Sequence, residues 1–403
     1  MKQPKIRLKG FSGEWEETTV GDISSSFSGG TPLAGVAKYY GGNIPFIRSG
    51  EINEEKTQLF LTDDGLNSSS ARMVEKGTLL YALYGATSGE VSISKINGAI
   101  NQAILAIYPK KGYSSDYLCH YLRAQKDNIV NTLLQGGQGN LSGALVKGIQ
   151  VHMPSIYEEQ CAVSETLDSL DTLIQSTTKK IESLKQVKAA SLQSMFPQEG
   201  ETKPRVRFKG FEGNWNLVRL GDCLTINNER NQNNVYDIND VLSVSDEVGV
   251  VNQIKLLGRS YAGKSVSNYR VLKTNQIVYT KSPLKSKPYG IVKVNKGTVG
   301  IVSVLYAVYD AKENVCPDYI HYYFDPSYRI NNYLLPLINK GAKNTMNISD
   351  DMALTGKIYI PSYDEQKQIA QYLQSLDTQI SLQTQRLEKL KQIKSACLDN
   401  MFV

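Results

Sequence analysis

Thirty-eight residues without a proline or glycine, Glu159 to Phe196, limit what this chain can fold into more than any other stretch. They read EQCAVSETLDSLDTLIQSTTKKIESLKQVKAASLQSMF, with apolar residues at Leu167, Leu170, Ile174, Ile181 and Leu184. That three/four alternation keeps one stripe of a helix dry. At 1.5 Å per residue the helix spans roughly 55 Å, too long and too narrowly striped to stand without a partner helix. The chain supplies the partner. Glu365 to Phe402 repeats the stretch at a shift of 206 positions, with Glu159, Gln160, Leu167, Leu170, Asp171, Ile174, Leu184, Lys185, Lys188, Met195 and Phe196 all matched by identical residues. The second stripe is Leu373, Leu376, Ile380, Leu387 and Leu390. Both stretches follow a Pro-Ser pair, Pro154-Ser155 and Pro361-Ser362, which sets the first turn, and the acids behind it favour the positive helix start.

The repeat extends further. PKIRLKGFSGEWEETTVGD from Pro4 and PRVRFKGFEGNWNLVRLGD from Pro204 match at a shift of 200, and each holds one of the two tryptophans of the chain. Either each Trp packs the leading strand onto its own domain, or the Lys and Arg beside it touch phosphate. Between these marks and the long helices, short apolar runs such as IPFI, GTLLYALYG and NQAILAIYP alternate with Gly, Asn, Ser and Pro clusters, the spacing of a strand-rich α/β domain. A short helix is expected near Asp116 to Val130. KTNQIVYTK, GTVGIVSVLYAVY and PDYIHYYF repeat the plan in the second half. The expected fold is therefore mixed α/β with a pseudo-two-fold internal repeat. Its parts are a first domain over 1–153, a central helix and linker over 154–203, a second domain over 204–360 and a distal helix over 361–403, with the helices paired as an antiparallel coiled coil.

Composition sets the remaining limits. An apolar fraction of 41% and a charged fraction of 21% are those of an ordinary globular chain. No apolar run is long enough for a membrane span, and MKQPKIRLKG lacks the apolar core of a signal peptide, so a cytoplasmic protein is expected. The five cysteines form no CxxC pair and are given no chemistry. Charge is uneven, with 20 Lys+Arg against 21 Asp+Glu up to Lys203 and 25 against 18 beyond it. A basic second half permits nucleic-acid binding. Two similar domains on a rigid spacer suit a ligand with two spaced sites, and duplex DNA is such a ligand.

The P-S-x-x-E-x-Q helix starts, L-D-x-x-I cores, K-Q-x-K endings and K-G-F-x-x-x-W motifs resemble the specificity (S) subunit of type I restriction-modification systems over essentially the whole chain. The resemblance implies two target recognition domains alternating with two long helices that pair with each other. It implies a subunit with no chemistry and no cofactor of its own, which selects a bipartite asymmetric sequence in double-stranded DNA from the prokaryotic cytoplasm. It also implies docking of two methyltransferase subunits carrying S-adenosylmethionine, and of two restriction subunits using ATP and magnesium. Stripe-free apolar positions and the matched Lys185 and Lys391 are the helix residues available for docking.

The competing reading of the layout is a two-headed protein-binding coiled-coil scaffold without DNA specificity, and two enzyme readings compete as well. Gly258 to Ser265, GRSYAGKS, matches the phosphate-loop pattern GxxxxGK[ST]. That motif needs a helix starting at its lysine, whereas SVSNYRVLKTNQIVYT after Lys264 reads as strand, which leaves Arg259 and Lys264 as loop cations near DNA phosphate. A methyltransferase reading lacks the Asn-Pro-Pro-aromatic signature. For DNA contact the strongest local signal is TKSPLKSKPYG, where Lys281, Lys285, Lys287 and Tyr289 share a proline-stiffened loop. The matching loop of the first half offers Tyr81, Tyr84, Thr87 and Ser88, so Lys38, Arg48 and Arg72 are expected to supply its positive charge. The turns before the long helices add Gln138, Asn140, Lys343 and Asn344, side chains that suit adenine or guanine edges. His120, His152 and His321 are expected to be packed rather than metal ligands.

Overall fold

The computed structural model describes residues 3–133, 140–263, 265–282, 284–340 and 346–403. The chain divides into two compact units, one of Met1–Thr178 with Gln385–Val403 and the other of Lys179–Thr384. The central helix, Tyr157–Ser194, and the distal helix, Tyr363–Met401, each contribute one end to either unit.

The described residues of the first unit form ten strands: β1 (Trp15–Thr19), β2 (Ser24–Ser28), β3 (Tyr40–Ile47), β4 (Leu59–Leu61), β5 (Arg72–Val74), β6 (Leu79–Ala82), β7 (Val91–Ile93), β8 (Gly98–Ile100), β9 (Ile104–Pro109) and β10 (Gln150–Pro154). An antiparallel sheet has the order β2-β9-β6-β7, a mixed one the order β4-β3-β8-β5, and β1 pairs with β10, setting Trp15 opposite Pro154. Every residue of β6, LLYA, is buried. Alternation assigns its residues to two cores, because a strand sends successive side chains to opposite faces. Leu79 and Tyr81 join Leu105, Ile107, Tyr117 and Leu118, while Leu80 and Ala82 join Ile47, Ile100, Ile104 and Ala106. A strand covered on both faces reads as a continuous apolar run, which is why the sequence shows no polar alternation there. The short helix expected near Asp116 is two helices, Ser115–Ala124 and Lys126–Leu133, separated at Gln125.

The second unit repeats this frame in β11 (Asn216–Arg219), β12 (Leu224–Asn227), β13 (Leu242–Ser245), β14 (Gly249–Asn252), β15 (Arg270–Leu272), β16 (Ile277–Thr280), β17 (Val292–Val294), β18 (Gly300–Val302), β19 (Tyr306–Ala311) and β20 (Lys357–Ile360). The sheet β12-β19-β16-β17 has the order of β2-β9-β6-β7, and β11 pairs with β20 as β1 does with β10. Ile277 and Tyr279 again face one core while Val278 faces another. The helix Pro317–Phe324 takes the place of Ser115–Ala124.

Lys188 meets Asp377 at 2.7 Å and Ser191 lies 3.4 Å from the Tyr372 hydroxyl, so the helices run in opposite directions in the second unit. In the first, Asp171 pairs with Lys394. The same 206-position shift turns Asp171 into Asp377 and Lys188 into Lys394. Of the two stripes, Leu167, Ile181, Leu373 and Leu376 are buried, and Leu170, Ile174, Leu184, Ile380, Leu387 and Leu390 are half-buried. Leu167 and Leu373 belong to the globular cores, so the first turns of each stripe seat the helix on the domain it leaves. The helix ends are built into cores as well. Phe196 packs against Tyr319 (5.5 Å between ring centres) and Trp215 (6.2 Å), and Phe402 against Tyr117 (5.3 Å) and Tyr121 (5.6 Å). No helix among the described residues is long and apolar enough to cross a membrane.

Candidate nucleic-acid interface

The repeated residues are spent on scaffold. Arg7 donates two hydrogen bonds to the Glu159 carboxylate, each 2.7 Å, and Arg207 does the same to Glu365. Both carboxylates are 1% exposed. Bidentate pairing of this kind fixes angle as well as distance, so the leading segment is bolted to the helix start. Gln160 accepts from the Ser114 N–H and donates to the Pro154 carbonyl, and Gln366 repeats this with Cys316 and Pro361. The acids expected at the helix starts are in place, Glu158 and Glu159 in one first turn and Asp364 and Glu365 in the other. Glu159 and Glu365 neutralise an arginine, and that arginine is not free for phosphate. Trp15 and Trp215 are buried, as the packing reading of the tryptophan motif expects.

In the first unit the expected contact residues scatter. Tyr81 is fully buried, and burial pushes its hydroxyl up to about 12, so it packs the core and cannot reach a groove. Ser88 is buried and donates to the Leu83 carbonyl. Tyr84 is 36% exposed, and the Thr87 hydroxyl donates to its carbonyl. Arg48 is held by Glu51 and Gln58. Lys38 is exposed with Asp64 at 3.9 Å. Arg72 lies 3.7 Å over the Phe27 ring, which stacks on Tyr108 at 5.5 Å. Asn140 is exposed, whereas Gln138 lies outside the described residues.

In the second unit the basic loop is only partly free. Lys281 pairs with Asp350, which also holds Arg270. Lys287 is 5% exposed and meets Asp246 at 2.7 Å, with Asp325 at 3.9 Å. Both departures have one cause, since each lysine is held by half-buried carboxylates that compete with solvent and phosphate for its charge. Tyr289 is half-buried against the core, and its carbonyl accepts from Tyr279. Lys285 is exposed, and no ion-pair partner accompanies it among the described residues. Arg259 is exposed, stacked at 4.7 Å on Tyr261. Lys264, Lys343 and Asn344 lie outside the described residues.

The phosphate-loop reading falls on topology. The helix Gln253–Leu257 ends at Gly258, and among the described residues from Arg259 to Leu272 no helix begins. His120, buried, pairs through Nε2 with Asp168 at 2.9 Å, and the His321 Nδ1 lies 3.1 Å from the Val292 carbonyl oxygen. His120, Asp168 and Asp171 bring their donor atoms within 4.8 Å of one another, but Lys394 already neutralises Asp171, so a cation would compete with an ammonium group. Burial pushes the Cys119 and Cys223 thiols up to about 11, away from the reactive thiolate.

The family model for the type I restriction modification DNA specificity domain matches this chain twice, over residues 12–186 and 212–392. The chain belongs to the type I restriction-modification specificity-subunit family. It is similar to the MjaIX specificity subunit of a type I restriction enzyme of Methanocaldococcus jannaschii, 27% identical over 240 residues that cover 55% of each chain. It thus spans about half the length of that relative. Against the MjaVIII specificity subunit of the same organism it is 20% identical over 96% of this chain and 91% of the other. The crystal structure of the type I S subunit from M. genitalium shares the fold, with a TM-score of 0.61 at 13% identity over 100% of this chain and 99% of that one.

Within this S-subunit fold, sequence reasoning passed over an ion cluster in the second unit. Lys293 meets Asp325 (3.1 Å) and Asp246 (3.3 Å), and Asp325 also meets Lys188 (3.3 Å) of the central helix. Burial pushes the Asp325 carboxyl up, but Lys293, His321, Lys188 and Lys287 outweigh it and hold the group well below the usual carboxylate range. Part of the signal was present, because Asp171 and Lys188 are among the residues matched at the 206-position shift.

Proposed function

We propose that this chain selects the DNA sequence on which a type I restriction-modification complex acts. Its two recognition domains read two different half-sites of one bipartite duplex site, and its paired helices dock two methyltransferase subunits and two restriction subunits. The chain performs no chemistry itself. S-adenosylmethionine belongs to the methyltransferase subunits, and ATP with magnesium to the restriction subunits. One observation carries the reading: the specificity domain occurs twice on one chain, on the same strand frame, with unlike loops. Like frames require like placement, and unlike loops read unlike bases.

The test is single-molecule sequencing of DNA from cells expressing this chain with its neighbouring methyltransferase subunit, against cells expressing that subunit alone. A two-part methylated motif that depends on this chain is the expected result. No new motif, with both proteins folded and associated, would reject the DNA role in favour of a protein-binding scaffold.

A further inference from the structure

The loop between β16 and β17 is fixed at both ends and at its middle. The Thr280 N–H donates to the Ile291 carbonyl (2.9 Å) and the Gly290 N–H to that of Lys287 (3.1 Å), which also accepts from Leu284 (3.0 Å). Gly290 has φ +90°, and a Cβ there would stand 1.7 Å from the Thr280 oxygen, so the close turn needs glycine. Side chains complete the clamp. Lys281 is drawn to Asp350, and Lys287 to Asp246 and Asp325. The cluster around Lys287 extends through Asp325 to Lys188 on the central helix, which meets Asp377 on the distal helix. The loop is therefore positioned against the helix pair by side chains of its own unit.

Two of the loop's three lysines thus point their charge inward, and the turn between them presents Lys285 to solvent. Among the described residues the first unit keeps only the helix–helix part of this cluster, Asp171 with Lys394. Its residues matching Lys293, Asp325, Lys188 and Asp377 are Ser92, Arg123, Lys394 and Asp171, and they line an open polar pocket of about 620 Å³. Its corresponding loop carries no lysine between Leu83 and Glu90. The clamp is specific to the second recognition domain.

We infer that Lys285 is the DNA-contacting residue of this loop, donating from its ammonium group to an oxygen acceptor in the half-site read by the second domain, and that Lys281 and Lys287 are positioning residues that hold it in register. This rests on the DNA-specificity reading above. A clamped turn carrying one free cation places that cation at a fixed point on the duplex, whereas three mobile lysines would give affinity without register.

The experiment uses the full chain with its methyltransferase partner and a duplex carrying the methylated motif. Lys285→Ala is expected to weaken binding about five- to hundredfold. If the acceptor is a phosphate, the loss is uniform across sequences and the salt slope falls by about one. If it is guanine O6, discrimination disappears at one base pair of one half-site; either outcome supports the assignment. Lys287→Met is expected to blur preference in that half-site while the other half-site is read as before, and Lys287→Arg is expected to restore it. The intact half-site reports that the variant is folded. Unchanged affinity, salt slope and base preference in Lys285→Ala, in a protein that still methylates its motif, would overturn the inference and leave the specificity role standing. A wild-type complex that yields no motif would instead reject the specificity role itself.

Discussion

Arg7 and Arg207 show how a single residue type can mislead when only sequence is in view. A basic residue beside Lys and Trp in a nucleic-acid-binding chain invites a phosphate contact, yet each guanidinium donates through Nε and Nη2 to a carboxylate about 150 residues away and through Nη1 to the carbonyl of Gly13 or Gly213. Nothing local encodes that pairing. The one hint was that Arg7 and Glu159 both recur, each in its own repeated motif. Removing Arg7 leaves a carboxylate that is 1% exposed without its counter-charge. Arg7→Ala should therefore cost about 3–5 kcal/mol in the first unit, and Arg207→Ala a similar amount in the second. Since each unit holds one tryptophan, denaturant melts of Trp15→Phe and Trp215→Phe backgrounds followed by fluorescence would assign each loss to its unit. His321 makes a prediction in pH. Burial, and the nearby Lys293, lower its pKa to about 4. The unfolded chain, with an ordinary histidine near 6.5, binds the proton first, so stability falls as pH drops from about 6.5 to about 4. The loss is on the order of 3 kcal/mol. His321→Gln should flatten the stability profile in that window, measured by urea titration at stepped pH.

At the level of elements, strands and long helices were readable because their patterns are local. Runs such as LLYA and IVYT announced buried strands, and the uninterrupted stripe announced the helices, which lie two residues earlier than expected at their starts. Loops were not readable in the same way. TKSPLKSKPYG looks like a uniformly basic turn, and only the approach of Asp246, Asp325 and Asp350 from elsewhere in the second unit separates Lys285 from Lys281 and Lys287. Tyr81 failed for a simpler reason: the strand β6 continues through it, and tyrosine is as much a core residue as a reader of bases. The helix ends carry a test of their own. Phe402→Ala should destabilise the first unit, and Phe196→Ala the second, by about 3–5 kcal/mol each, because an aromatic side chain is lost from a closed core. Hydrogen exchange should localise each effect, with faster exchange in Ser115–Ala124 for the first variant and in Pro317–Phe324 for the second.

On the scale of the whole molecule, the proposed division of labour predicts separable changes. If the helices set the distance between half-sites, four residues inserted into each helix beside Thr178 and Thr384 should widen the preferred spacer by roughly two base pairs, since a helix rises 1.5 Å per residue and B-DNA 3.4 Å per step. Methylation mapping that returned the original spacer would reject the ruler. Exchanging residues 223–353 for those of a relative should alter one half-site and leave the other. The ion cluster adds a condition to that exchange, because Asp325 travels with the insert while its partner Lys188 stays behind. A donor lacking a carboxylate at that point should give a less stable chimera than one that keeps it, a difference that thermal melting would reveal.

The way the two units are drawn from the chain also bears on inheritance. The second is encoded by one uninterrupted stretch, Lys179 to Thr384, and its Lys188–Asp377 pair lies wholly inside it, while Asp171–Lys394 lies wholly outside. A double crossover at the two helix midpoints would hand a daughter gene a complete new reading head with every partner of its ion cluster. A crossover at the boundary between the repeats would instead part Phe196 from Trp215 and Tyr319. Lineages that exchange specificity by recombination should therefore carry their breakpoints inside the helices, and rarely at the seam that the duplication itself left behind.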